Sequence, residues 1–264
     1  MTYEHLTLER DGHVAVVTLN RPDKLNALSR ELQGEMRAAC AELQGDDAVR
    51  AVIWTGAGRG FCSGADLTGG PREEQEPTQA ERLDEYGWVG AQAMAVYRLD
   101  KPTIAAVNGV AAGAGMSLAL ACDIRVGSEA ARFKVVFIER NLSPDSGLSY
   151  FLPRIVGYSR ACDLVYTSRA VEAEEAYRIG LLDRLVPAER LLEEAKALAH
   201  TIAEWPPLAM RMSKRVLQAS MESRLEDQLR YETTALGYGR RAVNDARESA
   251  ASFREKRKPV FTGT

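Results

Sequence analysis

Short runs of apolar and polar residues open the chain and predict two strands followed by a helix. Residues Tyr3–Arg10 and His13–Leu19 are rich in β-forming side chains, and the Asp11-Gly12 pair between them is typical of a type I′ hairpin turn. A helix is predicted next, because Ser29 can cap it and apolar residues then recur at helical spacing as far as Leu43.

Two buried strands further along the chain are each followed by a glycine-rich turn. The apolar run at 51–54 leads into GAGRGFCSGAD at 56–66, and the run at 103–107 leads into a turn that opens an apolar helix ending near Ala121. The polar stretch 68–78 between these units contains Pro71 and Pro77 and predicts a mobile loop, which precedes a helix ending near residue 99. Further strands are predicted near 123–126 and 182–186.

The last quarter of the chain has a different pattern. Beyond Pro187 the apolar residues follow helical spacing in three or four amphipathic segments. Strands alternating with helices, and then helices alone, predict an α/β fold with a helical C-terminal region. We place the division between a core at 1–195 and a helical region at 196–264.

Composition excludes several classes of protein. The 264 residues carry a formal net charge of −3, which gives no electrostatic reason to expect a nucleic-acid partner. The N-terminus has no apolar signal core, and no apolar run is long enough to predict membrane insertion, so a cytoplasmic location is expected. The four cysteines form no CxxC or Cys/His pattern, so reduced and mostly buried thiols are expected and no metal site is indicated.

The glycine-rich turns are the first candidate for chemistry. Glycine lets the backbone approach a ligand closely, and the first N–H groups of a helix can bind developing negative charge. Two such turns could direct two N–H donors at one oxygen, although glycine after a strand is also a routine turn residue. No Gly-Lys-Ser/Thr motif follows either turn, and the first turn has Phe61 where a dinucleotide-binding fingerprint needs its third glycine.

Five motifs together resemble the crotonase (enoyl-CoA hydratase/isomerase) superfamily, in the family's order and across nearly the whole chain. They are NRPDKLNALS at 20–29, GRGFCSGADL at 58–67, KPTIAAVNGVAAGAGMSLALACDIRV at 101–126, LSPDSGLSYFLPRIVG at 142–157 and FREKRK at 253–258. The resemblance implies a spiral of ββα repeats forming two nearly perpendicular sheets, with trailing helices that drive assembly into a trimer or a dimer of trimers. It implies an acyl-CoA thioester substrate, with coenzyme A as part of that substrate and no separate cofactor.

The resemblance also assigns site residues. The oxyanion-hole donors correspond to the backbone N–H groups of Ala65 and Ala114, and donors of this kind stabilise the charge of an enolate oxygen. Coenzyme A contacts correspond to Lys24, Leu25, Ala27, Ser63, Asp66 and Leu67, and to Phe253 and Lys256 on the ligand of a neighbouring subunit. Asp66 could equally brace the turn, and the lysines could be ordinary surface residues.

The acid/base positions depart from the family pattern. Typical hydratases of the family carry two glutamates there, whereas this chain has Ser117 and Phe137, which would line the substrate pocket. Hydration needs groups that activate water and move the α-proton, so this loss argues against ordinary hydratase chemistry. Glu139 is a shifted glutamate two residues away, but a catalytic role for it is not favoured.

Asp145 is the remaining candidate base. It stands where several enoyl- and dienoyl-CoA isomerases of the family carry their base, although a carboxylate before a helix is also a common N-cap. We therefore expect an isomerase that moves a 3-enoyl double bond to the 2-position through an enolate. A hydratase, or a related lyase or hydrolase, and a non-catalytic acyl-CoA-binding paralogue are the alternatives. Trp88 and Met94, on the helix after the polar stretch, and Met116 are further candidates to border the acyl group, although packing in the core explains them at least as well.

Overall fold

The computed structural model describes residues 2–68 and 78–264. Most of the stretch predicted to be a mobile loop, 69–77, lies outside the described residues. The strands are β1 Leu6–Asp11, β2 Val14–Leu19, β3 Ala51–Gly56, β4 Gly60–Cys62, β5 Thr103–Val107, β6 Val110–Ala112, β7 Ile124–Ser128, β8 Arg132–Lys134, β9 Ala170–Glu172 and β10 Arg184–Val186. The helices are α1 Arg30–Gly45, α2 Gln79–Arg82, α3 Gly87–Tyr97, α4 Ala114–Ala121, α5 Leu148–Val156, α6 Tyr158–Thr167, α7 Ala173–Arg178, α8 Leu191–Ala203, α9 Pro207–Ser220, α10 Leu225–Gly239 and α11 Val243–Glu255.

The first hairpin confirms the predicted strands and corrects the predicted turn. β1 and β2 are antiparallel, and Asp11 pairs with Val14, so the turn residues are Gly12 and His13 rather than Asp11 and Gly12. Of these two, only Gly12 has a positive φ, at +58°. A type I′ turn needs positive φ at both central residues, so the predicted turn type is wrong.

Two sheets form the core. The larger has the order β1-β2-β3-β5-β7-β10 and is parallel apart from β1, and the smaller has the order β4-β6-β8-β9, with β9 antiparallel to β8. Three successive units each place one strand in the large sheet and the next in the small sheet before a helix: β3 and β4, β5 and β6, and β7 and β8. The α/β fold built from ββα repeats is therefore confirmed.

The large sheet is covered on both faces, as its nearly continuous apolar strands require. Along β3, Val52 and Trp54 belong to the hydrophobic cluster that includes helix α1. The alternate residues Ala51 and Ile53 belong to a second cluster with α8. Ser29 caps α1 as predicted, because its Oγ accepts the N–H of Leu32 at 3.3 Å.

Four helices, α8 to α11, make up the C-terminal region, which confirms its predicted helical character. The division placed between 195 and 196 falls inside α8 and remains a prediction. Helix α9 is attached to the core by charged contacts: the buried Lys214 ammonium lies 2.8 Å from Asp123, and Arg215 pairs with Asp100. Within the described residues, no helix is long and apolar enough to span a membrane.

Candidate active site

The two glycine-rich turns predicted from the sequence lie directly against each other. A Cβ on Gly115, in the first turn of α4, would lie 2.1 Å from the carbonyl oxygen of Cys62. A Cβ on Gly64 would lie 2.8 Å from the carbonyl oxygen of Ala112 and 3.6 Å from the backbone nitrogen of Ala114. Gly64 also has a φ of +99°, which only glycine adopts readily. Any larger residue at these positions would force the turns apart.

Each turn presents one backbone N–H that is free among the described residues. Ala114 is the first residue of α4, where a helix N–H has no partner within the helix. Ala65 forms a parallel bridge with Leu28 through its neighbours: Leu28 donates to the carbonyl of Gly64, and Asp66 donates to the carbonyl of Leu28. The described hydrogen bonds include none from the Ala65 or Ala114 N–H. The turns thus bring together the two donors that the sequence assigned to an oxyanion hole.

Two asparagine side chains hold the first turn in shape, and sequence reasoning gave them no role. Asn26 is fully buried, and its amide nitrogen donates to the carbonyls of Ala57 at 3.0 Å and Gly60 at 2.8 Å. Asn108 donates to the carbonyl of Gly58 at 3.0 Å and accepts from the Gly56 N–H. The Asn26 backbone is left-handed, with φ of +57°, a conformation that asparagine tolerates better than most residues. An asparagine in a loop that contains a proline is therefore the sequence feature that could have identified its structural role.

The residues proposed to contact coenzyme A along the first loop and turn form one group. The Ser63 N–H donates to the carbonyl of Leu25 at 2.9 Å, and its hydroxyl donates to the carbonyl of Lys24 at 3.3 Å. Ala27 is buried and its N–H donates to the carbonyl of Lys24 at 3.1 Å, whereas the side chains of Lys24 and Leu67 are exposed. The structure therefore gathers these residues beside the Ala65 N–H.

Asp66 is occupied by contacts within the protein. One carboxylate oxygen accepts the N–H and hydroxyl of Thr68, at 2.9 and 2.6 Å, and the other pairs with Arg21 at 2.8 Å. The hydrogen bonds from Thr68, followed by that from Arg21, lower the pKa of Asp66 to about 2. These contacts match the bracing role that the sequence left open.

Phe253 and Lys256 lie at the end of the C-terminal helix α11, far along the chain from the first loop. Phe253 is on α11 with 86% of its surface exposed, and Lys256 ends that helix in a left-handed conformation with φ of +54°. No hydrogen bond or ion pair within the described residues joins either of them to the loop of Lys24. Their assignment to a neighbouring subunit's ligand stays a prediction.

Asp145 lies in the loop that precedes α5, and its carboxylate does not cap that helix. The N-cap residue is Gly147, without a side-chain hydrogen bond to the helix. Among the described residues, the Asp145 carboxylate accepts one hydrogen bond, from the Ser146 hydroxyl at 3.0 Å. Burial raises the pKa of Asp145, and the hydrogen bond from Ser146 opposes part of that rise. A half-buried carboxylate with little hydrogen bonding is suited to accept a proton.

Ser117 connects the Asp145 loop to the start of α4. Its side chain is buried, and its Oγ lies 3.3 Å from the carbonyl oxygen of Gly113 and 3.2 Å from that of Asp145. The loop carrying the candidate base and the turn carrying the Ala114 N–H are therefore adjacent.

Neither Phe137 nor the shifted Glu139 provides an unpaired carboxylate for water activation. Phe137 is buried in the main hydrophobic cluster. Glu139 is largely exposed and pairs with Lys134 at 2.6 Å, an interaction that lowers the pKa of Glu139. Val136 has a φ of +54°, a strained conformation for a β-branched residue, beside Gly113.

A cavity of about 510 Å³ adjoins the first turn. Ala65, Asp66 and Trp88 are among its lining residues, so Trp88 shares this cavity with the oxyanion turn, and its role beside the acyl group stays a prediction. Met116 is buried in the core. Asp84 accepts the N–H groups of Tyr86 and Gly87, so its carboxylate shapes the start of α3.

Histidine and cysteine side chains add nothing to this site. His13 hydrogen-bonds the carbonyl of Ala48, and His200 lies beside Asp11. Burial raises the thiol pKa of Cys62 to about 12, so it is no nucleophile. Within residues 2–68 and 78–264, no group of three or more His, Cys, Asp or Glu side chains could hold a metal ion.

Comparison with known proteins identifies the family to which the chain belongs. The family model described as enoyl-CoA hydratase/isomerase matches residues 9–264. A probable enoyl-CoA hydratase of Mycobacterium tuberculosis is 39% identical over 262 residues, covering 99% of both chains. The 1,2-epoxyphenylacetyl-CoA isomerase of Escherichia coli is 34% identical over 250 residues, covering 95% of both. The crystal structure of an enoyl-CoA hydratase from Bacillus anthracis superposes with a TM-score of 0.89 at 32% identity, covering 99% of this chain and 100% of that one.

The match extends over nearly the whole chain and includes both turns that supply the free N–H groups. The chain therefore belongs to the enoyl-CoA hydratase/isomerase family, within the crotonase superfamily.

Proposed function

We propose that the protein is an enoyl-CoA isomerase that converts a 3-enoyl-CoA thioester into its conjugated 2-enoyl isomer. Asp145 removes a proton from C2, and the electron pair of that C–H bond moves into the thioester carbonyl to give a dienolate. The Ala65 and Ala114 N–H groups bind the dienolate oxygen. The Asp145 carboxyl then returns the proton at C4, the C2–C3 double bond forms, and no atom is gained or lost.

The observation that carries this proposal is the placement of Asp145. Its carboxylate is half-buried, does not cap α5, and sits on a loop bonded through Ser117 to the helix that begins with Ala114. Burial raises its pKa, which brings a carboxyl base closer to the pH at which it works best. Each free backbone donor is typically worth about 10²–10³ in rate.

Water addition has less support from the side chains present. Ser117 and Phe137 occupy the positions of the two hydratase glutamates, and Glu139 is paired with Lys134. A proton shuttle needs one base, whereas hydration also needs a group that activates water.

Hydration is the second candidate function because of the names of the relatives. The relative from Mycobacterium tuberculosis is named a probable hydratase, whereas the relative from Escherichia coli is named an isomerase acting on 1,2-epoxyphenylacetyl-CoA. A related lyase or hydrolase, and a binding paralogue without turnover, complete the alternatives.

A comparison of two substrates separates these functions. Purified protein is incubated with a 3-enoyl-CoA and, separately, with a 2-enoyl-CoA, while absorbance reports conjugation and mass spectrometry reports addition of water. Conversion of the 3-enoyl substrate without mass change, abolished by Asp145→Ala, supports the isomerase. A mass gain of one water from the 2-enoyl substrate, without isomerisation, would favour the hydratase. Binding of CoA esters without turnover would favour the paralogue.

The oligomeric state of the protein is a further part of the proposal. The resemblance to the family implies a homotrimer or a dimer of trimers, and exposed apolar side chains on the C-terminal helices, such as Leu225 at 69% and Leu236 at 63%, are available for a subunit interface. In that assembly Phe253 and Lys256 would reach the coenzyme A of a neighbouring subunit. A cytoplasmic location remains a prediction.

A further inference from the structure

Ser117 occupies a family glutamate position, yet its hydroxyl faces two backbone carbonyls. The residue is 1% exposed, and its Oγ lies within hydrogen-bond distance of the Gly113 and Asp145 carbonyl oxygens, at 3.3 and 3.2 Å. Its only hydroxyl hydrogen is thus engaged between these oxygens. A side chain held in this way is not free to activate water or to donate a proton to substrate.

Both carbonyls belong to the proposed reaction centre. The Gly113 carbonyl shares its peptide group with the Ala114 N–H, which is one of the two oxyanion donors. A hydrogen bond to that carbonyl polarises the same peptide and strengthens its N–H as a donor. The Asp145 carbonyl belongs to the residue proposed as the base.

The loop that carries Asp145 has little other attachment. Within residues 143–147, the described hydrogen bonds run to neighbours in the same loop or in the start of α5, such as that from the Leu148 N–H to the Asp145 carbonyl. The bond from Ser117 is the exception in this described segment, because it comes from a different element. Ser146 and Gly147 both have positive φ, at +51° and +83°, so the loop holds an uncommon backbone path.

From these contacts we infer that Ser117 is a positioning residue that fixes the base, Asp145, relative to the oxyanion donor on Ala114. The kinetic consequence of this role rests on the proposed isomerase function, whereas its structural consequence does not. A proton shuttle depends on the distance from the base to both C2 and C4 while the dienolate oxygen is held, so a loosened loop reduces the rate of chemistry more than substrate binding.

The matched pair of variants is Ser117→Ala and Ser128→Ala. Ser128 is also 1% exposed, and its hydroxyl oxygen also takes part in backbone hydrogen bonding, accepting from the Ala130 N–H at 3.2 Å, but it lies on β7 outside the site. Hydrogen-exchange mass spectrometry of peptides covering 141–149 is the first measurement. Ser117→Ala is expected to increase exchange there at least several-fold, and Ser128→Ala to leave it unchanged. Unchanged exchange in a folded Ser117→Ala protein overturns the inference, whatever the enzyme's activity.

Kinetics with a 3-enoyl-CoA give the second measurement. Ser117→Ala is expected to lower kcat by about 10- to 100-fold with KM changed less than about threefold. A looser loop also admits water to the Asp145 carboxylate, which lowers its pKa and moves the acidic limb of the kcat profile to lower pH. Ser117→Thr keeps the hydroxyl and is expected to restore most of kcat. An altered KM with an unmoved acidic limb would instead make Ser117 a residue that contacts substrate, and would overturn the inference.

Two further outcomes are distinguishable. If Ser117→Ala does not fold, Ser117→Cys fills the site with a somewhat larger side chain that is a weaker donor, and it is judged by the same exchange and pH criteria. If the wild-type protein has no isomerase activity, the proposed function fails, while the exchange comparison still decides the role of Ser117.

Discussion

The oxyanion turns and the Asp145 loop are neighbouring parts of one site, but they are held in different ways. The turns are fixed by direct backbone packing: a Cβ on Gly115 would lie 2.1 Å from the Cys62 carbonyl oxygen, and Asn26 and Asn108 hydrogen-bond the first turn. The Asp145 loop depends on side chains, namely the Ser117 and Ser146 hydroxyls.

This difference distinguishes the backbone donors, which suit any reaction of an acyl-CoA enolate, from the base, which determines the reaction that occurs. Backbone donors can stabilise the enolate of any acyl-CoA thioester, so the turns carry no information about the proton's destination. The base determines which proton moves and where it returns. Substitutions in the turns should therefore slow any reaction at this site that passes through an enolate. Substitutions in the loop should change the rate and the pH dependence of the proton transfer that uses Asp145.

The largest effect is expected for Asp145→Asn. The amide keeps the size of the side chain but cannot accept the proton, so turnover of a 3-enoyl-CoA should fall by about 10²–10⁴-fold with binding of the CoA ester retained. Steady-state kinetics and calorimetric titration measure the two quantities.

Glu139→Gln is the control for Asp145→Asn, because it makes the same chemical change six residues away at the exposed partner of Lys134. It should leave turnover within about twofold of wild type, as is usual for surface substitutions. Retention of more than a tenth of the activity in Asp145→Asn, or a large loss in Glu139→Gln, would assign the base elsewhere.

Gly115→Ala tests the backbone side of the comparison. The new methyl group would meet backbone atoms of Cys62 at 2.1 and 2.7 Å, which can be relieved only if the start of α4 moves away from the first turn. We expect a loss of about 10²-fold or more in kcat, as for removal of one oxyanion donor. The free energy of unfolding, measured by thermal denaturation, should also fall by about 1–3 kcal/mol.

Gly34→Ala provides the matched control for this change. Gly34 is also helical, but a Cβ there meets nothing within 4 Å. Alanine should therefore stabilise the helix by up to about 1 kcal/mol and leave kcat unchanged. Wild-type kcat in Gly115→Ala would contradict the close apposition of the two turns.

The sequence predicted the parts of this molecule that leave a local pattern. The Ser29 cap, the apolar strands of the large sheet and the glycine turns each have a signature within a few residues, and the structure confirms them. The small sheet was implied only by resemblance, because strands of three residues such as Gly60–Cys62 are too short to show a period.

The surroundings of Asp145 could not be predicted from local pattern. An aspartate just before a helix is typical of a cap, yet the N-cap of α5 is Gly147, without a side-chain hydrogen bond, and the Asp145 carboxylate accepts from Ser146 instead. The contact from Ser117 joins residues 28 positions apart in the chain. Whether Asp66 braces the turn likewise depends on Arg21, 45 residues away.

Ser146→Ala should shift the pH dependence with little change in the maximal rate. The base works as a carboxylate, so the rate falls as the pH drops through the pKa of Asp145. The Ser146 hydroxyl stabilises that carboxylate, and its removal should raise the pKa further and move the acidic limb to higher pH, opposite to Ser117→Ala. Ser149→Ala, an exposed serine on α5, should leave the limb in place. A limb unaffected by Ser146→Ala would mean that another group controls it.

The smallest effect on kcat is expected for Asp66→Asn, which distinguishes bracing from ligand contact. The asparagine loses the ion pair with Arg21, whose two side chains are only 17% and 10% exposed, and the Arg21 charge is left without its partner, so the melting temperature at pH 7 should fall by several degrees. Since the pKa of Asp66 is lowered to about 2, its stabilisation is present above the unfolded pKa and is lost as the pH falls toward 2. The difference in melting temperature from wild type should therefore shrink between pH 5 and the lowest pH at which both proteins stay folded.

The KM for the CoA ester is the second measurement on Asp66→Asn. A carboxylate that only braces the turn should change KM by less than about threefold, because the Ala65 N–H stays in place. A tenfold rise in KM with an unchanged melting temperature would show instead that Asp66 contacts coenzyme A, and would mean that the first turn acts on the substrate through a side chain as well as through its backbone N–H.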